Sequence, residues 1–553
     1  MNTFKNVVIT LSKAQGLKRL VLIVVSAFVT ALPFMTKNLL PGLSGLIGTF
    51  FGMFAWFGLS VLFLTVFDFE KTLKRVISSL FCFFIAFYVF VYSWFVNLYP
   101  LDFVGLGNSE SIGVIIIAMT CIPLLHSAIM TFSVFLGYTA ARYVQNTYLR
   151  AALVSLGYVA GEYLQSLGVF AFPWARLFVT QTDCPVLLQS ASLFGSYFIT
   201  FVIVYVNSML AFSALSVKKN DGKGAKYVFV AVAVFLVNGA FGCARMAFTD
   251  YSDYDHIEAL VLQGNIPSSE KWSDSMDSTR EVYLNLAKSE ALSFDIEGGV
   301  DVAVMPETAF PVTIHPDDGI LSQTEKSLHE MSKILDAELF AGAFSENDDK
   351  SYNSVFVFSP DGSVSEPYNK QNIVPFGEFL PYRDVIEKFS PSLASMNVFS
   401  SDIARGMNFL PLDTRVGKAA CLVCFDSIFP ETARKQVANG ADFIVISTND
   451  SWYKTSSALY QHADHAVMRA IENNVPVIRS ANTGISCIID PLGNVISSTN
   501  VNERIAIRES VPLTRSRSLY NVTGELVVPT AFVVIFLFLV YGFIKTKRAS
   551  HNK

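Results

Sequence analysis

Eight stretches of this chain are apolar enough to lie in lipid, and a single polar block, residues 250–520, separates the seventh from the eighth. A helix needs about 20 consecutive apolar residues to cross a bilayer. Runs of that order fall at roughly 20–36, 40–67, 76–97, 112–140, 150–171, 185–215 and 227–247, with an eighth at 524–544. The second, fourth and sixth are longer than one crossing needs, so tilt or a kink is expected. Pro41 and Pro123 lie in two of them. Only 16% of the 553 residues are charged and 52% are hydrophobic, against roughly 25% charged in soluble domains; the excess must face lipid. The net charge of -5 and the lack of a basic, aromatic-interleaved run argue against a nucleic-acid partner.

Short loops rich in Lys and Arg stay on the cytoplasmic side. Lys5, Lys13, Lys18 and Arg19 precede the first run, and Lys71, Lys74 and Arg75 follow the second. Arg142 and Arg150 follow the fourth, and Lys218, Lys219, Lys223 and Lys226 the sixth; Lys545, Lys547 and Arg548 end the chain. Residues 98–111 hold no Lys or Arg, and residues 172–184 only Arg176. With eight crossings all five basic segments share one side. Both termini are then cytoplasmic, and residues 250–520 lie outside. The first run is followed at once by another and by no small-residue cleavage site, so it is not expected to be a cleaved signal.

The polar block predicts an α/β fold. Strand patterns occur at Glu258–Leu262, Val302–Met305, Leu339–Ala343, Ser354–Phe358, Ala419–Cys424, Phe443–Ser447, Val477–Arg479 and Ser486–Ile489. Helical patterns such as Thr279–Phe294, Gln323–Leu335 and Gln461–Asn474 alternate with them, which points to sheet layers flanked by helices. The seven cysteines are odd in number and irregularly spaced, so they spell no disulfide framework. Alternation places Cys421 inside its strand, facing away from Cys424, which argues against a redox pair.

Three residues carry chemistry. Glu307 follows the strand at Val302–Met305 and a proline, at the kind of strand end where α/β sites open. Lys370 precedes an apolar, Pro- and Gly-rich loop that contains Glu378, surroundings able to tune a lysine. Cys424 ends a strand just before a helix start, where a thiolate can be stabilised. Glu162 in the fifth run is either functional or a helix–helix hydrogen bond, and His126 is expected to be a packed polar group. His462 and His465 alone are too few ligands for zinc.

Strand-Pro306-Glu307, then Asn369-Lys370, then Cys424-Phe425-Asp426 with Phe429-Pro430-Glu431 resembles the nitrilase (carbon–nitrogen hydrolase) superfamily. With spans on both sides the chain resembles its integral membrane branch, the apolipoprotein N-acyltransferases. Gln263-Gly264-Asn265 with Trp272, the loop at 374–381, Thr448 to Tyr453, Gln461-His462, Arg469-Ala470 with Glu472, Arg479 with Asn482-Thr483-Gly484, Glu162 and Phe172-Pro173-Trp174 fit as well. The family usually has Cys-Tyr-Glu where this chain has Cys424-Phe425-Asp426.

The resemblance implies a transmembrane helical bundle carrying an α-β-β-α sandwich. Residues 1–249 would hold seven spans, 250–520 the catalytic domain and 521–553 the last helix and tail. It implies Glu307 as base, Lys370 as oxyanion stabiliser and Cys424 as nucleophile. Glu378, Phe425, Asp426, Trp272 and Trp452 would support them or bind substrate. Residues 375–410, rich in Phe, Leu and Met, would form a lid. A phospholipid would donate an acyl chain to a diacylated apolipoprotein in a bacterial inner membrane, through a monomer needing no cofactor or metal. A membrane-tethered amidase and, from a different class, a transporter with a sensor domain are the alternatives.

Overall fold

The computed structural model describes residues 16–38, 44–67, 72–101, 106–271, 276–293, 298–315, 322–389 and 402–551. Trp272, Pro41 and the middle of the expected lid lie outside them. The chain forms two compact units. One comprises Met1–Val96, Val114–Phe248 and Thr523–Lys553; the other comprises Asn97–Gly113 and Thr249–Val522.

Among the described residues of the first unit, helices cover the expected apolar runs with two corrections. Seven helices are long and apolar enough to cross a membrane: Gly16–Met35, Gly45–Val66, Leu73–Leu98, Asn108–Arg142, Ser196–Lys219, Gly224–Phe248 and Val527–His551. The fifth run is a helix only over Thr147–Leu164. Beyond it Ser166, Gly168 and Pro173 favour turns over helix, and the chain continues irregularly to the short 3-10 helix Leu177–Gln181. The sixth run is broken as well. A 3-10 turn, Pro185–Leu187, and one helical turn, Ala191–Phe194, precede the long helix Ser196–Lys219. Gly195, at φ +79°, makes the break; a residue with a side chain rarely adopts that conformation.

Small residues bring the bundle helices together. A methyl group on Gly137 would lie 2.4 Å from the Leu153 carbonyl oxygen and 3.1 Å from the Gly157 Cα, so this crossing needs glycine. Glu162 is fully partnered: it accepts from the Leu177 N–H (2.8 Å) and from the Thr200 hydroxyl (2.7 Å) on the next long helix. His126 hydrogen-bonds the Tyr92 hydroxyl at 3.0 Å, as a packed polar group.

Among the described residues, the second unit contains two six-stranded sheets. The strands are β1 (His256–Gln263), β2 (Val302–Val304), β3 (Glu338–Asn347), β4 (Lys350–Phe358), β5 (Tyr368–Asn369) and β6 (Leu412–Thr414). They continue with β7 (Gly417–Val423), β8 (Phe443–Thr448), β9 (Val477–Ala481), β10 (Cys487–Ile489), β11 (Val495–Ser498) and β12 (Ile505–Pro512). One sheet has the order β12-β1-β2-β3-β4-β5 and the other β11-β10-β9-β8-β7-β6. Strands β1, β2 and β3 are parallel, as are β7, β8 and β9.

Both faces of the central strands are buried, which explains their continuous apolar runs. Val302, Val304, Phe340 and Val355 of one sheet share a core with Cys421, Val423, Phe443 and Val445 of the other. On the far face of the first sheet, Leu260, Leu262, Ala303 and Leu339 pack against Tyr283 and Ala287 of helix Asp277–Ala291 and Leu328 and Met331 of helix Gln323–Leu335. Helices Pro430–Ala438 and Ser457–Asn473 pack on the second sheet. The result is the α-β-β-α sandwich expected.

Candidate active site

The parallel strands of both sheets end at a common place, and the chemistry-bearing residues follow them. Glu307 lies just beyond β2, where the Met305 N–H still donates to the Phe340 carbonyl at 2.8 Å. Gly342 of β3 makes room for this turn: a methyl group there would sit 2.5 Å from the Pro306 oxygen and 2.8 Å from the Glu307 Cα. Ser447, at the end of β8, donates to the Met305 carbonyl at 2.9 Å and ties the two sheets together beside the site.

The Glu307 carboxylate is satisfied on both oxygens. Oε1 accepts from Lys370 Nζ at 3.1 Å and Asn353 Nδ2 at 2.7 Å; Oε2 accepts from the Asn449 N–H at 2.9 Å. Lys370, 1% exposed, also donates to Glu378 Oε1 at 2.9 Å, and Asn353 Nδ2 donates to the same oxygen at 2.9 Å. One lysine and one asparagine thus bridge the same two carboxylate oxygens. Glu378 Oε2 is fixed by the Val374 N–H at 2.8 Å. A second lysine, Lys271, donates to the Glu307 carbonyl at 3.0 Å and to the Thr308 hydroxyl at 2.7 Å. It pins a turn in which Thr308 has φ +41°.

Cys424 follows β7 at φ +49°, a conformation that costs about 1–3 kcal/mol for a residue with a side chain and that clusters at functional sites. The surroundings hold it there. Its carbonyl accepts from the Ser427 hydroxyl at 2.7 Å and from His462 Nε2 at 3.1 Å. The His462 ring is set in turn by Asp450 Oδ1, 2.9 Å from Nδ1, and Asp450 Oδ2 accepts from Arg479 at 2.9 Å. The Cys424 sulfur, an Asp450 oxygen and a His462 nitrogen lie within 4.8 Å of one another, ligand types able to hold a metal ion. In this site the Arg479 guanidinium provides the positive charge beside Asp450.

Electrostatics separate the groups. Burial pushes Glu307 up, but Lys370, Lys271 and the Asn353 amide outweigh it and hold the carboxyl below its ordinary value. Burial opposes the charge on Lys370, yet Glu307 and Glu378 raise it well above a usual lysine. Burial lowers Lys271 to about 8. Burial, with Glu307 adding to it, drives the Cys424 thiol far above its ordinary value, against the pull of Lys370 and the Thr448 hydroxyl. The site therefore sets a thiol raised above its ordinary value beside a carboxyl held below its own.

The sequence-predicted residues divide clearly. Glu307, Lys370, Glu378 and Cys424 converge in one electrostatic network. Asp426 is fully buried, accepts from five donors, and joins the Lys370 segment to the end of β7. Phe425 packs edge-on against Phe429 at 5.4 Å. Trp452 is half-buried in the 3-10 turn Asp450–Tyr453. Asn353 and Lys271 escaped sequence reasoning: the first is one polar residue inside a strand, the second a lysine in a hydrophilic stretch.

Residues 261–517 match the carbon-nitrogen hydrolase family, and residues 43–209 match the apolipoprotein N-acyltransferase N-terminal domain. The chain is 32% identical over 373 residues to apolipoprotein N-acyltransferase of Geobacter metallireducens, covering 66% of this chain and 69% of that one. It is 27% identical to the Rhodopseudomonas palustris enzyme of the same name, over 81% of this chain and 84% of the relative. The Bradyrhizobium diazoefficiens relative is 29% identical, over 70% and 72%. A helical unit and an α/β unit that each match a domain of one family, with relatives spanning both, show that the chain belongs to the apolipoprotein N-acyltransferases.

Proposed function

We propose that this protein acylates the N-terminal α-amine of diacylglyceryl-cysteine in apolipoproteins, taking the fatty acyl chain from a membrane phospholipid through a thioester on Cys424. The reading rests most on Cys424, held at positive φ at a strand end, within the electrostatic reach of Glu307 and Lys370. Glu307, kept ionised by two lysines, takes the thiol proton as the sulfur attacks the ester carbonyl. Lys370 stabilises the oxyanion. The proton passes from Glu307 to the departing lysophospholipid oxygen. The α-amine then attacks the thioester, the C–S bond breaks, and one amine proton returns by way of Glu307 to sulfur. Two displacements through one covalent intermediate give ping-pong kinetics.

Glu378 keeps Lys370 in place from its far side. In this reading the protein works as a monomer in a bacterial inner membrane, with residues 250–520 as the periplasmic catalytic domain and both termini cytoplasmic. Residues 1–249 and 521–553 supply the membrane spans.

Intact-mass spectrometry of the purified protein with phospholipid tests the chemistry. An adduct of acyl mass on the native chain, released by hydroxylamine and absent from Cys424→Ala, is expected. A folded native chain that never carries the adduct would sink the proposal, and an adduct persisting on Cys424→Ala would move the nucleophile elsewhere.

A further inference from the structure

The Asn353 amide is only half used. Nδ2 spends its two hydrogens on Glu307 Oε1 and Glu378 Oε1, at 2.7 and 2.9 Å. Its Oδ1 is buried and has no hydrogen-bond partner among the described residues, in a residue 3% exposed. A flipped amide would point its oxygen at two carboxylate oxygens, so the orientation is fixed by charge. Strand β4 fixes the backbone as well: the Asn353 carbonyl accepts from the Lys370 N–H at 2.9 Å, and its neighbour Ser354 pairs with Asn369. Among the described residues, the site thus keeps a rigid buried acceptor without a donor. Such a group carries a desolvation cost unless something supplies a donor, and each one in a folded protein calls for an explanation.

The two substrates of the proposed reaction differ in this respect. A phospholipid ester brings no N–H donor to the reacting carbonyl. The acceptor brings a primary amine. When its nitrogen attacks the thioester, the N–C bond forms, the C–S bond breaks, and one proton leaves through Glu307 to restore the Cys424 thiol. The second N–H stays on nitrogen and ends as the amide N–H of the product. That hydrogen needs an acceptor, and Asn353, whose Nδ2 donates to Glu307 Oε1 at 2.7 Å, carries one on the same amide.

We propose that Asn353 Oδ1 binds the N–H that the amine keeps, which makes Asn353 the residue selecting a primary amine for the second half-reaction. This inference rests on the acyl-transfer reading above.

The test measures the half-reactions separately on the full-length protein in detergent. Mass spectrometry follows thioester formation from phospholipid. The preformed thioester is then chased with a lipopeptide bearing a free α-amine, or with the same lipopeptide N-methylated. The native enzyme is expected to prefer the primary amine by roughly tenfold or more, the worth of one hydrogen bond inside a buried site. Asn353→Ala also strips a donor from Glu307 and so slows both half-reactions with both amines. Its preference for the primary over the N-methyl amine should nevertheless fall toward unity. An Asn353→Ala enzyme as selective as the native one would overturn the proposal and leave Asn353 as a support for the two carboxylates. A native enzyme that forms no thioester would instead bring down the underlying reading, a result visible before any chase is run.

Discussion

Replacing Asp426, two residues beyond Cys424, should cost the α/β unit much of its stability. Its carboxylate accepts from the Tyr368 hydroxyl at 2.9 Å, the Gln371 N–H at 3.2 Å, the Asn372 N–H at 2.7 Å, the Asn372 side-chain amide at 2.9 Å and the Val423 N–H at 3.1 Å. Asp426→Ala strands these donors where water does not reach. At about 1–3 kcal/mol for each buried donor left unpaired, and allowing half of them new partners, the loss is on the order of 4 kcal/mol or more. A loss of that size is exceptional for one residue and calls for a specific mechanism. Asp426→Glu keeps the charge but adds a methylene to a fully enclosed site, an overpacking cost of roughly 1–3 kcal/mol. Pulse proteolysis in urea, in detergent, reads the α/β unit without requiring the membrane helices to unfold. The expected order of stability is native, then Asp426→Glu, then Asp426→Ala. An alanine variant within about 1 kcal/mol of native would refute the view of this carboxylate as the clamp between the Lys370 segment and β7, since even one stranded donor should cost that much. A variant equally stable yet unable to form the acyl-enzyme would assign Asp426 to the chemistry instead.

Three further outcomes are expected. Lys370→Met leaves Glu307 and Glu378 as buried carboxylates without their shared cation, and should destabilise the unit by about 3–5 kcal/mol as well as abolish adduct formation; a stable, active variant would contradict the ion-pair geometry. Lys271 has a folded pKa lowered to about 8 against roughly 10.4 in an unfolded chain, so between those values the unfolded state binds more protons and stability rises with pH. Urea midpoints of native and Lys271→Met compared from pH 7 to 11 should show that rise, on the order of 3 kcal/mol, in the native chain alone. The Cys424 thiol lies above its ordinary value, so its alkylation by iodoacetamide should keep accelerating beyond pH 9, whereas a plateau near neutrality would mean a preformed thiolate.

The sequence made Glu307 and Cys424 legible because each ends or follows a short apolar strand, and parallel strands gather their carboxyl ends at one place; Lys370 was legible through the apolar, Pro- and Gly-rich loop that follows it. Glu378 was legible through the apolar loop around it. Asn353 was not: it stands between Tyr352 and Ser354, just ahead of the apolar run Val355–Phe358, and its importance lies in contacts with residues 46 and 25 positions away. Asp426 was visible as a departure from the family's usual glutamate, but its role as a hub for backbone N–H groups exists only in three dimensions. In the helical unit, hydropathy ran through Pro185 and Gly195 because both lie among apolar residues. Local backbone chemistry broke the sixth run there, and Glu162 showed its reason only through Leu177 and Thr200.

The first and last strands of the α/β unit lie side by side, paired from His256 with Pro512 to Gln263 with Ile505. For a chain made from its N-terminus, this sets a timetable. The second sheet pairs strands near one another in sequence, and β2, β3 and β4 likewise, so these can form early. Strand β1 leads the unit yet keeps an open edge until β12 arrives, with Glu258 waiting for Arg508, 250 residues behind it. An exposed strand edge invites wrong partners. Shortening the chain anywhere before residue 512 should therefore yield an aggregating α/β unit even with Glu307, Lys370 and Cys424 all present.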